Sequence, residues 1–204
     1  MDFRHLLALA LLLPFSAGAT PPAAVVPESE AQAVEVAPAQ RVRMVTTMGE
    51  IVIELDAAAA PRTVENFLAY AREGHYNGTV FHRVVPGLLV QGGGFTPDLQ
   101  PKPSRAPIPN EAGNGLLNRR GAIAAARDRG VVESATTQFF INLADNPNLD
   151  PSAGDSPYTA GYAVFGRVVL GMDVVDRIAA TPTGAQGAFS GWVPTTPVLI
   201  ERID

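Results

Sequence analysis

Two polar side chains that could bind a peptide stand within an otherwise apolar segment, VFHRVVPGLLVQGGGF, at residues 80–95. Arg83 carries a planar, always protonated guanidinium with five N–H donors, and Gln91 carries a carboxamide that both donates and accepts. On its own, an arginine in a strand is usually solvated or half of a surface ion pair. Beside an apolar cavity, the same group is instead well suited to bind a backbone amide.

A second segment, TTQFFIN at residues 136–142, combines polar and aromatic residues. Successive side chains alternate between the two faces of a strand. One face, polar except for one aromatic ring, carries Thr136, Gln138, Phe140 and Asn142. The other face, typical of a core, carries Thr137, Phe139, Ile141 and Leu143. Phe140 is then either an ordinary exposed phenylalanine, which is the commoner case, or the floor of an apolar pocket rimmed by amides.

The strands that position these residues are short and numerous. Eight segments have the alternation or composition of strands, and they are RVRMVTT, EIVIELD, TVFHRVV, LLVQGG, GAIAAAR, TQFFINL, YAVFGRVV and VLIERID. Two helices are predicted, one in PRTVENFLAYAREG and one over residues 172–180. This pattern predicts a mainly β fold, an eight-stranded antiparallel closed barrel capped by two α-helices. Two proline-rich segments, 97–115 and 145–161, are predicted as long loops that are functional walls or disordered excursions.

The composition excludes several classes of function. The 204 residues carry a formal net charge of −5 and no cluster of Lys and Arg, so nucleic acid is not an expected partner. The absence of cysteine removes thiol nucleophiles, disulfides and cysteine-ligated zinc. The sequence has no serine elbow and no phosphate-binding glycine loop, and its three histidines form no metal-binding motif. Neither a metal nor another cofactor is therefore expected.

The amino terminus indicates export. Arg4 precedes an apolar run, LLALALLLPF at residues 6–15, which is too short to span a bilayer. Ala17 and Ala19 follow in a small-x-small cleavage pattern, so we predict a signal peptide over residues 1–19. Residues 20–40 are rich in Pro, Ala and Glu and predict a disordered tether. The expected location is the periplasm, with secretion as the alternative, and no membrane insertion is expected after cleavage.

Three blocks of the sequence resemble the cyclophilin family of peptidyl-prolyl isomerases. They are FHRVVPGLLVQGGGF, QFFIN and YAVFGRVVLGMDVV. The resemblance extends over a domain at residues 41–204, and PIPNEAGNGL with GAIAAAR is similar to the bacterial exported branch. Cyclophilins are eight-stranded antiparallel barrels with two helices, which agrees with the fold predicted from the strand pattern.

The resemblance implies a set of site residues. Arg83 corresponds to the catalytic arginine of the family, and Gln91 to the neighbouring glutamine that anchors the substrate backbone. The substrate-binding positions are Leu88, Leu89, Ala126, Arg127, Gln138, Phe140, Leu149 and Tyr162. Phe140 is implied as the base of the proline pocket, and Ala126 and Arg127 are implied to pair with the substrate through their backbone.

Three positions depart from the family pattern. Leu88 replaces the usual phenylalanine after Pro-Gly, and this change predicts a slacker pocket wall with modestly lower activity. Asn148 stands where some members carry a tryptophan that helps to bind cyclosporin, so weak cyclosporin binding is expected. Gly94 replaces a common aspartate.

The implied function is peptidyl-prolyl cis-trans isomerisation, which would assist the folding of exported chains. The implied substrates are unfolded polypeptides or peptides that contain proline. The alternative is a cyclophilin-like module or chaperone that binds proline-containing segments with little or no turnover. A monomer is expected because no sustained amphipathic stretch suggests an obligate dimer.

Overall fold

The computed structural model describes residues 40–204, and the structural statements below refer to that range. The predicted signal peptide and tether lie outside the described residues, apart from Gln40. Within the described range, no helix combines the length and the apolar composition that crossing a membrane requires.

Eleven strands and two α-helices make up the described chain. The strands are β1 (Gln40–Thr46), β2 (Gly49–Leu55), β3 (Thr79–Val80), β4 (Arg83–Val85), β5 (Leu89–Gly92), β6 (Ala122–Ala125), β7 (Phe139–Asn142), β8 (Val164–Leu170), β9 (Thr183–Gln186), β10 (Phe189–Pro194) and β11 (Leu199–Ile203). The helices are α1 (Pro61–Arg72) and α2 (Met172–Ala179), and a 3-10 turn spans Pro147–Leu149. The predicted mainly β fold with two helices is confirmed.

Nine of the strands form one antiparallel sheet in the order β3-β11-β1-β2-β8-β6-β7-β5-β4. Its two edge strands, β3 and β4, are consecutive in the chain and are separated only by Phe81 and His82. The amide of Phe81 donates to Val198 O on the β11 side (3.0 Å), whereas Arg83 pairs with Gln91 on β5. The sheet therefore begins and ends on one stretch of chain and curls round on itself.

The strand count differs from the predicted eight at two places. The expected strand TVFHRVV is divided into β3 and β4 because its two halves pair with opposite edges of the sheet. The hairpin of β9 and β10 was not predicted, since its sequence, TGAQ followed by FSGWVP, lacks regular alternation. A register shift between Phe189 and Val193 interrupts that pairing, which explains why a period-2 pattern is missing.

The main core lies on the inner face of the curled sheet. Both helices bury their apolar faces in it, α1 through Phe67 and α2 through Ile178. Alternation along β7 places Phe139 and Ile141 in this core, as the sequence predicted.

The loop at residues 97–115 is anchored to the start of α1. Ala60 precedes the helix and has no capping side chain. The Glu111 carboxylate takes that role and accepts hydrogen bonds from the amides of Arg62 (3.0 Å) and Thr63 (2.8 Å). Amides in the first turn of a helix have no intrahelical partner, so this contact fixes the loop and stabilises the helix together.

Candidate active site

A row of directly opposed residues crosses four neighbouring strands. Arg83 on β4 faces Gln91 on β5, Gln91 faces Phe140 on β7, and Phe140 faces Ala124 on β6. Directly opposed residues in antiparallel strands project from the same face of the sheet. Neighbouring strands lie about 4.8 Å apart, so Arg83 stands two strands, or about 10 Å, from the Phe140 backbone.

The hairpin between β4 and β5 sets this register. Gly87 follows Pro86 and has a φ of +72°, and the Leu88 amide donates to Val85 O (3.0 Å). Proline followed by a left-handed glycine is the sequence that a type II turn requires. The Pro86-Gly87 bend is therefore what brings Gln91 opposite Arg83.

Arg83 is half-buried, and its side chain makes a single hydrogen bond to the described part of the chain, residues 40–204. Its Nη1 donates to Gln91 Oε1 at 3.2 Å. None of the ion pairs formed among residues 40–204 includes Arg83. Since a guanidinium has five N–H groups, most of its donors remain available to a ligand.

Gln138 fixes the orientation of the Gln91 carboxamide. Gln91 Nε2 donates to Gln138 Oε1 at 3.0 Å. Because a guanidinium can only donate, Gln91 must turn its oxygen to Arg83 and its nitrogen to Gln138. A Cβ at Gly94 would lie 2.5 Å from Gln138 Cγ, so the glycine gives the Gln138 side chain the space that it occupies.

A second apolar cluster lies on the outer face of the sheet around Phe140. Its buried members are Leu89, Ala122, Ala124, Phe140 and Val164. Partly buried residues packed against it are Val85, Leu88, Leu116, Ala126, Leu149 and Tyr162. Phe140 is only 2% exposed, so its interpretation as an ordinary exposed phenylalanine is wrong. We call this set of residues the outer cluster.

The outer cluster unites the apolar residues that the resemblance implied. Leu88, Leu89, Ala126, Phe140, Leu149 and Tyr162 all belong to it or pack against it. The Tyr162 ring meets the Phe140 ring edge-on, with centroids 5.5 Å apart and an interplanar angle of 80°. This packing makes Phe140 the candidate floor of a proline pocket, and its candidate walls are Leu88, Leu89, Leu149 and Tyr162. Asn148, by contrast, is exposed on the 3-10 turn.

Three buried asparagines, which sequence reasoning missed, support the pocket walls. Asn146 Nδ2 donates to Asn142 Oδ1 (2.7 Å), and Asn142 Nδ2 donates to Asn118 Oδ1 (3.2 Å). The asparagines at the two ends of this hydrogen-bonded row also donate to backbone carbonyls of the candidate walls. Asn146 donates to Leu88 O (3.0 Å) and Asn118 donates to Leu149 O (3.1 Å). Such a satisfied buried network rigidifies the backbone around it.

The segment GAIAAAR predicted that Ala126 and Arg127 lie within a strand. In the structure both residues follow the end of β6. The Ala126 amide is used by the protein itself, since it donates to Gln138 O at 2.9 Å. No hydrogen bond of the Arg127 backbone amide or carbonyl occurs within residues 40–204. An extended peptide could therefore pair with Arg127 at this edge.

His82, the neighbour of Arg83, is a further group that the sequence did not single out. It is buried between the rings of Phe95 (4.5 Å) and Phe189 (5.7 Å), and its Nδ1 has no hydrogen-bond partner in the described chain. Burial lowers the pKa of His82 to about 4. The imidazole is consequently neutral at physiological pH and adds no second positive charge beside Arg83.

Comparisons with known proteins find a family model and several relatives that match this chain. The family model for "Cyclophilin type peptidyl-prolyl cis-trans isomerase/CLD" matches residues 41–204. The chain is similar to peptidyl-prolyl cis-trans isomerase cyp18 of Streptomyces antibioticus, with 53% identity over 160 residues that cover 78% of this chain and 95% of the relative. It is also similar to peptidyl-prolyl cis-trans isomerase B of Escherichia coli (strain K12), with 51% identity over 158 residues that cover 78% and 94%.

A solved structure extends the similarity to three dimensions. It is a cyclophilin type peptidyl-prolyl cis-trans isomerase of Cryptosporidium parvum, crystallised in the presence of the dipeptide Ala-Pro. The TM-score is 0.67 at 25% identity, and the match covers 80% of this chain and 97% of the other. The nine-stranded curled sheet with two helices is thus a known arrangement.

Proposed function

This chain belongs to the cyclophilin-type peptidyl-prolyl cis-trans isomerase family, and from that premise we propose that Arg83 is its catalytic donor and that exported protein chains are its substrates. The activity of the family, rotation about X–Pro bonds, is the activity of this chain. The proposed role of Arg83 rests on the cross-strand row Arg83–Gln91–Phe140, which places a cationic donor beside an apolar floor.

The X–Pro bond is a tertiary amide whose rotation is opposed by resonance, with a barrier of ~18–20 kcal/mol. Uncatalysed exchange takes tens to hundreds of seconds at about 25 °C. No bond breaks during rotation, so the reaction requires no nucleophile. In the twisted transition state the prolyl nitrogen loses conjugation and gains a lone pair. A donor aimed at that nitrogen stabilises the transition state far more than the planar ground state.

The guanidinium of Arg83 supplies this donor. Its single internal hydrogen bond, to Gln91 Oε1, orients the group without neutralising it, because the partner is an amide rather than a carboxylate. The remaining N–H groups can then reach the prolyl nitrogen. Each ~1.4 kcal/mol of preferential stabilisation gives a tenfold faster reaction.

The other site residues bind the substrate on either side of this bond. The proline ring occupies the pocket whose floor is Phe140 and whose walls are Leu88, Leu89, Leu149 and Tyr162. Gln91 and Gln138 bind the flanking peptide through their carboxamides, and the unpaired backbone at Arg127 pairs with it as an added strand. Excluding water from the pocket also disfavours the polar, planar amide.

Export is supported by the amino-terminal sequence. The apolar run, the Ala17-x-Ala19 site and the polar tether predict that the mature enzyme begins at Thr20 and meets unfolded chains in the periplasm. We propose that this mature enzyme is a monomer. The test is expression of the full chain in a Gram-negative host, followed by fractionation and amino-terminal sequencing. A chain that starts at Thr20 in the periplasmic fraction is expected. A full-length chain retained in the cytoplasm would refute export but not isomerase activity.

Isomerisation itself is tested by NMR exchange spectroscopy on an X–Pro peptide with catalytic amounts of the purified chain. We expect exchange cross-peaks between the cis and trans forms on a timescale at which the free peptide shows none. A binding module or chaperone would shift the peptide resonances without accelerating exchange. That outcome would refute Arg83 as a catalytic donor.

A further inference from the structure

Within residues 40–204, every hydrogen bond of the Arg127 side chain goes to a backbone carbonyl of the protein itself. Its Nε donates to Gly161 O (2.8 Å) and its Nη2 to Pro157 O (2.8 Å). Its Nη1 donates to the carbonyls of Asp128 (3.2 Å) and Arg129 (3.4 Å). All three nitrogens of the guanidinium are therefore used within the chain. Although Arg127 borders the substrate site, its side chain is not available to bind substrate.

The guanidinium also lies against a wall of the proline pocket. Arg127 Cζ is 4.8 Å from the centroid of the Tyr162 ring, a distance typical of a cation–π contact. On the pocket side, the same ring meets Phe140 edge-on at 5.5 Å. A continuous stack thus runs from Arg127 through Tyr162 to the floor of the pocket.

The segment that delivers Tyr162 is an irregular loop at residues 150–161, with a few hydrogen bonds of its own, such as Ser152 N–H to Thr159 O (2.9 Å). Between the 3-10 turn and β8 it contains no helix or strand. Gly161 precedes Tyr162 and has a φ of +68°. A Cβ at this position would collide with the Pro151 nitrogen. The Tyr162 amide then donates to Leu149 O (2.9 Å). Asn110 gives further contacts, from Nδ2 to Ala160 O (3.2 Å) and to Gly161 O (3.5 Å).

We propose that Arg127 is a positioning residue, which holds the 150–161 loop and the Tyr162 ring so that the ring closes the proline pocket. The inference rests on the proposed function, because the pocket is the one assigned to the substrate proline. This role requires a planar guanidinium that donates to two carbonyls of the loop, Pro157 O and Gly161 O, and stacks on the Tyr162 ring. Lysine carries the same charge but lacks that geometry, so Arg127→Lys should fail to replace it.

Three variants test this in the full chain. Arg127→Lys and Arg127→Met remove the planar guanidinium. Arg129→Met is the matched control, since Arg129 stacks on Tyr158 (5.4 Å) of the 150–161 loop but its side chain forms no hydrogen bond to that loop within residues 40–204. A misplaced wall weakens ring binding in the ground and transition states alike, so both Arg127 variants should raise KM about fivefold with kcat changed less than about twofold. Arg129→Met should match the wild type in both constants.

A double-mutant comparison shows whether Arg127 acts through Tyr162. In a Tyr162→Ala background, Arg127→Met should cause no further loss, because the ring that it positions is already absent. An equal loss in both backgrounds would overturn the proposal. So would wild-type constants for Arg127→Lys and Arg127→Met.

An activity-independent measurement separates this proposal from the proposed function. The NMR resonances of the Tyr162 ring protons are shifted by the neighbouring Phe140 ring, and we expect Arg127→Lys to move them toward random-coil values while Arg129→Met leaves them unchanged. Unmoved Tyr162 resonances in Arg127→Lys would overturn the positioning role even if the enzyme is active. If the wild type proves inactive, these resonances still decide the role of Arg127.

Discussion

Two arginines border the outer cluster and use their guanidinium groups in opposite ways. Arg83 forms one side-chain hydrogen bond within residues 40–204, to the carboxamide of Gln91. Arg127 forms four, all to backbone carbonyls, and stacks on Tyr162. Both side chains carry the same charge and the same five donors. The difference lies in how many donors the chain itself satisfies, and it separates a group that can bind a substrate from one that holds a loop.

The availability of the two guanidinium groups differs accordingly. A buried donor left without a partner costs about 1–3 kcal/mol, but Arg83 is half-buried and none of its nitrogens is a buried unpaired atom within residues 40–204. Its free N–H groups are therefore open to solvent and to a substrate, whereas the donors of Arg127 are already bound by the protein. The choice of Gln91 as the single partner of Arg83 fits this view, because a carboxylate there would form an ion pair and hold the guanidinium away from the substrate.

The largest effect that we expect in free energy concerns His82, which adjoins Arg83. Burial depresses its pKa to about 4, from about 6.5 in the unfolded chain. Between these values the unfolded state binds the extra proton, so the free energy of unfolding should fall as pH drops below about 6.5 and lose about 3 kcal/mol by pH 4. His75, whose pKa is also lowered by burial, contributes in the same direction.

Urea unfolding between pH 7 and pH 4 measures this loss, and His82→Gln is the variant that isolates it. We expect the pH slope to become much shallower in His82→Gln, with the remaining slope due to His75. Glu54, Asp173 and Asp204 have lowered pKa values, so their own contributions are lost only at more acidic pH. An unchanged slope in His82→Gln would show that His82 is not the group responsible for the acid sensitivity.

The second effect is on catalysis and tests the comparison directly. Arg83→Ala should lower kcat/KM for X–Pro isomerisation at least tenfold, because it removes a contact made in the transition state. It should leave the free energy of unfolding within about 0.5 kcal/mol of the wild type, since the Arg83 side chain forms only one hydrogen bond within residues 40–204. A protease-coupled assay and urea unfolding of the same preparation give both numbers. An unchanged rate, or a rate loss that merely follows unfolding, would place Arg83 with Arg127 as a structural residue.

The sequence predicted the surroundings of Arg83 better than those of Arg127. Alternation in TQFFIN separated Phe139 from Phe140, and the Pro86-Gly87 bend brought Gln91 near Arg83, because both depend on local geometry. Family resemblance identified Tyr162 and Arg127, yet it could not show that the Arg127 guanidinium binds Gly161. That contact joins segments 34 residues apart, and no local pattern records it.

The asparagines beneath the pocket were missed for the same physical reason. Asn142 shares a strand face with Phe140, and this alternation is the one local signal that could have suggested it. Asn118 and Asn146 lie in irregular segments, where side-chain direction has no period. Their partners, Leu149 and Leu88, are identified only once the chain is folded.

The smallest expected effect sharpens the account of how Arg83 is held. Gly94→Ala would place a Cβ 2.5 Å from Gln138 Cγ, which is part of a flexible side chain and can move aside. Gln138 would then no longer accept the hydrogen bond from Gln91, and the carboxamide that orients Arg83 would lose its fixed direction. Because the guanidinium itself remains, we expect kcat/KM to fall only about two- to threefold, the loss of one neutral hydrogen bond.

Gly113→Ala is the matched control for this variant, because a Cβ at Gly113 would meet no atom within 4 Å. It should leave kcat/KM unchanged in the same protease-coupled assay. Gln138→Ala removes the acceptor outright, so adding Gly94→Ala to it should have no further effect. If the two losses add, then Gly94 acts on the site by a path that does not pass through Gln138. In that case the loss in Gln138→Ala alone would measure how far Gln138 orients Arg83 through Gln91, a kind of support that Arg127 obtains directly from backbone carbonyls.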